Sequence, residues 1–214
     1  MALPQQHLTL DDYLAWENQQ PEKNEYYRGE VYAMVGARRV HGTVVSNLNR
    51  RLAEQLDGTP CRVFTEGMKL QVADDAIFYP DLLVTCDRAD LATEMIFRAP
   101  RLVIEVLSPP TQACDRGLKF AVYRRLPSLQ EYILVDPDAR RVEGFRRNEQ
   151  DLWVLHDMTE GPALEAAVGV LDSGAGIRAA CCSEIRGAEI PAGLSHCVQM
   201  QLRSRCRNVR HRSV

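Results

Sequence analysis

The sequence predicts an α/β protein, an α+β mixed sheet flanked by helices, and three observations carry that prediction. Segments with helical spacing of apolar residues alternate with short strand-like runs in the order helix, hairpin, helix, three strands, helix, strand, hairpin. The runs Leu82-Leu83-Val84 and Leu102-Val103-Ile104-Glu105-Val106-Leu107 are almost wholly apolar, as buried strands are. A chain of 214 residues, 45% hydrophobic and 26% charged, is long enough for one ordinary domain with a real core.

Taken in order, Thr9 is a suitable N-cap for a first helix in which Leu10, Tyr13, Leu14 and Trp16 form a partial apolar face, ended by Pro21. Glu25 to Val35 reads as two short strands joined at Arg28-Gly29. From His41 to Leu56, Val44, Val45, Leu48, Leu52 and Leu56 recur at helical spacing, and Gly58 stops the helix. Three strands are predicted next, over Cys61–Val72, Ile77–Cys86 and Arg101–Leu107, the first bent at Gly67. A second long helix covers Asp115–Arg125, with Leu118, Val122 and Leu126 toward a core, and it ends before Pro127. Glu131–Val135 is a strand closed by Asp136-Pro137-Asp138, and Val142–Arg146 with Leu152–His156 forms a last hairpin.

Composition narrows the function classes. No stretch approaches the ~20 apolar residues of a membrane span, and the N-terminus lacks the basic and apolar regions of a signal peptide, so a cytoplasmic protein with no membrane partner is expected. The seven cysteines contain no CxxC pair and are irregularly spaced, which points to small buried hydrophobes rather than a disulfide framework or zinc ribbon. Residues 175–214 carry seven arginines and two acids, +5, which leaves −8 for residues 1–174 out of the chain's −3. An acidic body lacks the basic footprint usual for nucleic-acid binding. Periodicity is lost after about residue 165. The organisation expected is therefore a domain over residues 1–165 and an atypical basic tail over 166–214, which is a disordered segment, the product of a reading-frame change, or a nucleic-acid-binding arm.

One position stands out. Glu105 is a lone carboxylate in an apolar strand, and burying it costs several kcal/mol unless it is paired or coordinated. Asp81 stands just before another buried strand, and Asp115, Lys119 and Tyr123 follow at i, i+4 and i+8 of a helix. Asp81 and Glu105 on neighbouring strands suit Mg²⁺ (or Mn²⁺), which takes oxygen ligands, with the Val106 backbone carbonyl as a third. Lys119, one of only three lysines in the chain, would orient an attacking water or offset charge developing on a phosphate. Each residue also has a plainer role: Asp81 in a turn, Glu105 paired with Arg101 or Arg116, Asp115 favouring a helix N-terminus, Lys119 solvated, His41 capping or packing, Tyr123 packing.

Together these residues carry a resemblance. Asn24 to Met34, His41, Tyr79-Pro80-Asp81, Ile104 to Pro109, Asp115 to Phe120, Tyr123 and Gln130 to Asp136 resemble the bacterial Uma-two family of the PD-(D/E)XK nuclease superfamily, from about Leu8 to Thr159. The resemblance implies a restriction-endonuclease-like fold and a Mg²⁺-dependent phosphodiesterase site acting on DNA. By it, Asp81 matches the acidic position of the PD motif and Glu105 the (D/E) position, with Glu25 and His41 near the site. The usual lysine position, two residues after Glu105, holds Leu107; in this family the lysine stands on the following helix, at Lys119. Pro110 replaces a serine of many members, and the tail from about Ala166 resembles nothing in the family.

The function expected is a metal-dependent DNA endonuclease with Asp81, Glu105 and Lys119 as its machinery, and a homodimer would gather the few basic residues around DNA. The competing expectation is an inactive nuclease fold acting as a DNA-binding or protein-interaction module.

Overall fold

The structure is a computed structural model that describes residues 7–34 and 36–157. The basic tail expected over 166–214 lies outside the described residues. Helix α1 (Leu10–Glu17) opens at Thr9, whose hydroxyl accepts the Asp12 N–H. The hairpin β1 (Asn24–Tyr27) and β2 (Glu30–Ala33) turns at Arg28 (φ 49°) and Gly29 (φ 87°), the doubly left-handed pair of a type I′ turn. Helix α2 (Arg39–Leu56) buries His41, Val44, Val45, Leu48, Leu52 and Leu56, the stripe its spacing predicts.

The next two expected strands are corrected. Cys61–Val72 is not one bent strand but two, β3 (Arg62–Thr65) and β4 (Lys69–Val72), in different sheets on either side of Glu66-Gly67. Likewise Ile77–Cys86 divides into β5 (Ala76–Phe78) and β6 (Leu82–Thr85). Pro80, which has no N–H for a ladder, stands where the chain leaves one sheet for the other.

A short helix α3 (Arg88–Ala92) and the two-residue strand β7 (Ile96–Phe97) were not expected from periodicity, being too short to show one. Strand β8 (Pro100–Val106) follows. Helix α4 spans residues 112–123 and contains a π-helical turn at Asp115–Lys119 between α-helical Gln112–Cys114 and Phe120–Tyr123. Strands β9 (Glu131–Asp136), β10 (Arg141–Arg147) and β11 (Trp153–Asp157) complete the described fold.

The strands form two mixed sheets, β2-β1-β5-β4-β7 and β11-β10-β9-β8-β6-β3. All pairings are antiparallel except β4 with β7 and β8 with β9. The α/β class, a mixed architecture flanked by helices, is thus as the sequence predicts, with two sheets in place of one.

Strand periodicity divides the core. On the six-stranded sheet, Leu82, Val84, Leu102, Ile104 and Val106 point to one face and pack with the α2 stripe. The alternate residues Leu83, Val103, Leu107 and Leu134 pack on the other face with Leu70 and Phe78 of the five-stranded sheet and Val122 and Tyr123 of α4. Glu105 lies between Val103 and Leu107, so its carboxylate enters this second face, where α4 and the hairpin sheet meet.

A second correction concerns the cysteines. Cys61 and Cys86 are joined by a disulfide, not separate thiols. The β3–β6 register pairs Arg62 with Thr85, so one step outward makes positions 61 and 86 cross-strand neighbours. Their 25-residue separation hides this proximity from any reading by spacing. Cys114 is free.

Candidate active site

The register of β6 and β8 brings the two carboxylates together. Leu82 pairs with Ile104 and Leu83 with Val103, so the next step places Asp81 directly across from Glu105. The Asp81 N–H approaches Glu105 Oε2 at 3.4 Å, and the Val106 N–H donates to Asp81 Oδ2 at 2.6 Å. Because the N–H and C=O of one strand residue point the same way, the Val106 carbonyl lies along the Asp81 edge of β8.

Glu105, 3% exposed, is held from behind. The Tyr123 hydroxyl donates to Oε1 at 3.0 Å and the Lys119 ammonium reaches the same oxygen at 3.3 Å. The alternative partner Arg116 falls away, since it pairs with Glu143 and Asp136, and the Glu105 carboxylate takes a cation from α4. Tyr123 is fully buried among Phe78 and Tyr132. It therefore packs, as its plainer role has it, and its hydroxyl is engaged by Glu105.

Lys119 is the hub. Its Nζ lies 2.9 Å from Glu25 Oε1, 3.3 Å from Glu105 Oε1 and 3.4 Å from Asp115 Oδ1. The π turn, a feature common at functional sites, keeps Asp115 and Lys119 on the same inner face of α4. Asp115 does not cap the helix from solvent: it is 2% exposed, and its Oδ1 lacks hydrogen-bond geometry to any partner among the described residues despite the nearby ammonium. Glu25, from β1, also accepts the Tyr79 N–H at 3.1 Å, tying the hairpin to the segment before Asp81.

His41, from α2, comes from the far side, with Nε2 3.2 Å from Asp81 Oδ2 and Nδ1 4.0 Å from Glu66 Oε1. Glu66 is a residue beside Asp81 and His41 that the sequence did not single out. Its only signal was the following Gly67, read as a bend. Among the described residues, six carboxylates and two lysines, Lys23 and Lys119, line the resulting cleft of about 660 Å³ between the hairpin and the loop after β8.

This excess of negative charge shows in the acid–base behaviour. Burial pushes the Glu105 carboxyl well above the ordinary carboxylate range; Lys119 opposes the rise, and Asp115, Asp81 and Glu25 add to it. Burial also raises Asp115. For Lys119, burial alone would lower the pKa, but Glu105, Glu25 and Asp115 together outweigh it and keep the ammonium protonated. The hydrogen bond to Asp81 raises His41 against the opposing effect of its burial. One fixed ammonium cannot balance three carboxylates, so the cluster fits an added divalent cation on the chemistry of its donors: carboxylate oxygens, with a backbone carbonyl alongside.

The chain resembles known proteins over most of its length. The family model Uma2, described as "Putative restriction endonuclease", matches residues 10–174. The uncharacterized protein slr1290 of Synechocystis sp. (strain ATCC 27184 / PCC 6803 / Kazusa) is 35% identical over 165 residues, covering 77% of this chain and 87% of that one. The uncharacterized protein sll1609 of the same organism is 33% identical over 154 residues, covering 71% and 87%. Among solved structures, a crystal structure described as "a putative nuclease belonging to DUF820" from Anabaena variabilis ATCC 29413 superposes with a TM-score of 0.59 at 22% identity. It covers 73% of this chain and 87% of its own, and it shows a shared fold. Among the described residues, no helix is long and apolar enough to cross a membrane.

Proposed function

The chain belongs to the Uma2 family, and on that premise we propose that it is a Mg²⁺- or Mn²⁺-dependent DNA endonuclease whose machinery is Asp81, Glu105 and Lys119. The observation that carries the reading is the register-paired Asp81 and Glu105 beside a buried, protonated Lys119. Asp81, Glu105 and the Val106 carbonyl would hold the ion, which when bound polarises a phosphodiester oxygen and lowers the pKa of water.

The chain's own residues do the rest. Tyr123 fixes the Glu105 carboxylate through one oxygen, leaving Oε2 turned toward Asp81. The Val106 N–H and His41 fix Asp81. Lys119 lines the same cleft as the two carboxylates, where its ammonium would offset charge developing on the transferred phosphoryl group. Glu25 and Asp115 hold that ammonium in place from two further sides. A module built only for interaction has no use for an uncompensated buried acidic cluster, whose desolvation is unfavourable to folding.

Purified protein given Mg²⁺ or Mn²⁺ is expected to nick plasmid DNA, and Asp81→Ala and Lys119→Ala are each expected to abolish the nicking. Equal nicking by wild type and both variants would assign the activity to a contaminant and sink the proposal.

A further inference from the structure

We infer that the cleft contains a second cation position, formed by His41, Glu66 and Asp81, suited to a first-row transition ion. One ligand atom from each of the three residues lies within 4.8 Å of the others. Donors ~2.1 Å from one octahedral ion stand about 3.0 Å apart when adjacent and about 4.2 Å apart when opposite. The His41 Nδ1–Glu66 Oε1 separation of 4.0 Å is already close to that of an opposite pair, while His41 Nε2 is engaged by Asp81 Oδ2 at 3.2 Å. The Glu66 side chain, 50% exposed, is free to close the remainder by rotating.

Three independent observations point the same way. The His41 imidazole is 9% exposed, and its Nδ1 is buried without a hydrogen-bond partner among the described residues, a state that costs stability unless something binds there. The backbone of Glu66 is fixed beside Asp81: its N–H donates to the Asp81 carbonyl at 3.2 Å, and its own carbonyl accepts from Lys23. Glu66 is also held at φ 29°, a conformation that residues with side chains adopt at a cost and keep where the surroundings require it.

Charge supplies the third. Among the described residues, with His41 neutral and every carboxylate counted as ionised, six carboxylates against two lysines give the cleft lining a formal −4. A phosphodiester brings a further negative charge, so a single divalent ion leaves the complex strongly negative. A second divalent ion brings it near neutrality.

The donor set distinguishes this position from the one between Asp81 and Glu105. One imidazole nitrogen with two carboxylates favours a transition ion over Mg²⁺, which prefers oxygen. Asp81, with two oxygens, serves both positions. The inference rests on the endonuclease reading for what the ion is used for, while its ligands stand on the geometry above.

The test is calorimetric titration of the full chain with Mn²⁺, paired with electron spin-echo spectroscopy of the Mn²⁺-loaded protein. Wild type is expected to take up two ions and to show ¹⁴N modulation from a coordinated imidazole. His41→Ala should remove the modulation and weaken one ion by at least ~10-fold, the lower end of what even outer-shell changes cost. Glu66→Gln, at a half-exposed side chain that the fold does not depend on, should weaken the same ion by a similar factor. Glu105→Gln should weaken the other ion and leave the modulation intact. If both His41→Ala and Glu66→Gln bind Mn²⁺ as wild type does, or no ¹⁴N modulation appears, the inference is overturned while a Glu105-dependent ion keeps the endonuclease reading alive. If instead Glu105→Gln binds both ions unchanged, the second position stands and the Asp81–Glu105 reading falls. No Mn²⁺ uptake at all overturns both.

Discussion

Two buried lysines, Lys69 and Lys119, have differently built surroundings. Lys69, 4% exposed, pairs with one carboxylate, Glu17, at 2.8 Å, and Glu17 is in turn bonded by the Tyr79 hydroxyl at 2.5 Å. The charges balance, and Asn18 and the Tyr79 ring complete the enclosure. Lys119 faces three carboxylates, with Asp81 just beyond. A balanced buried pair fixes one geometry, here that of the segment entering the site. An unbalanced one opposes folding until a cation arrives. The difference separates a structural ion pair from a site.

That contrast can be broken or sharpened by substitution. The largest effect expected is on activity: Lys119→Met should lower metal-dependent nicking by about 10²–10³-fold, whereas Lys69→Met should leave the rate per folded molecule near wild type. Comparable losses in both would erase the distinction. The next is on stability. Lys69→Met leaves Glu17 buried without its cation and should cost about 3–5 kcal/mol in denaturant unfolding.

A third prediction reverses the sign. Glu105→Gln should raise the stability of the metal-free protein by about 1 kcal/mol, the scale typical when a functional site is relieved of strain. The same exchange at Glu17 should destabilise. Adding Mn²⁺ should stabilise wild type far more than the Glu105 variant.

The smallest effect concerns pH. Burial raises Asp115 above its ordinary 3.8, so the folded protein holds a proton that the unfolded chain releases. Its contribution is therefore present at low pH and lost as pH rises through the raised value. Asp115→Asn should flatten the fall in stability of the metal-free protein above about pH 4. An unchanged slope would place the surplus charge elsewhere.

The order of elements was legible because periodicity and punctuation agree for long segments: Thr9 caps α1, the Val44 to Leu56 stripe is α2, and Pro127 follows α4 and its closing turn. The division into two sheets was not. Glu66-Gly67 and Pro80-Asp81 mark places where the chain changes sheets, but a bend within a strand and a crossing between sheets leave the same local signal. Glu105 announced itself by its apolar neighbours, and register explains why Asp81 faces it. Tyr123 was legible as a site neighbour, though not as a buried support for Glu105. Glu66 and the Cys61–Cys86 bond were not legible, because both depend on contacts across strands that no spacing encodes.

The central claim is that Asp81 and Glu105 face each other in order to share a cation. Crystals grown with Mn²⁺ and measured at its absorption edge test it most directly. An anomalous peak is expected ~2.2 Å from carboxylate oxygens of both residues, with the Lys119 ammonium still alongside. At saturating Mn²⁺, a map with no peak against those two carboxylates would contradict it.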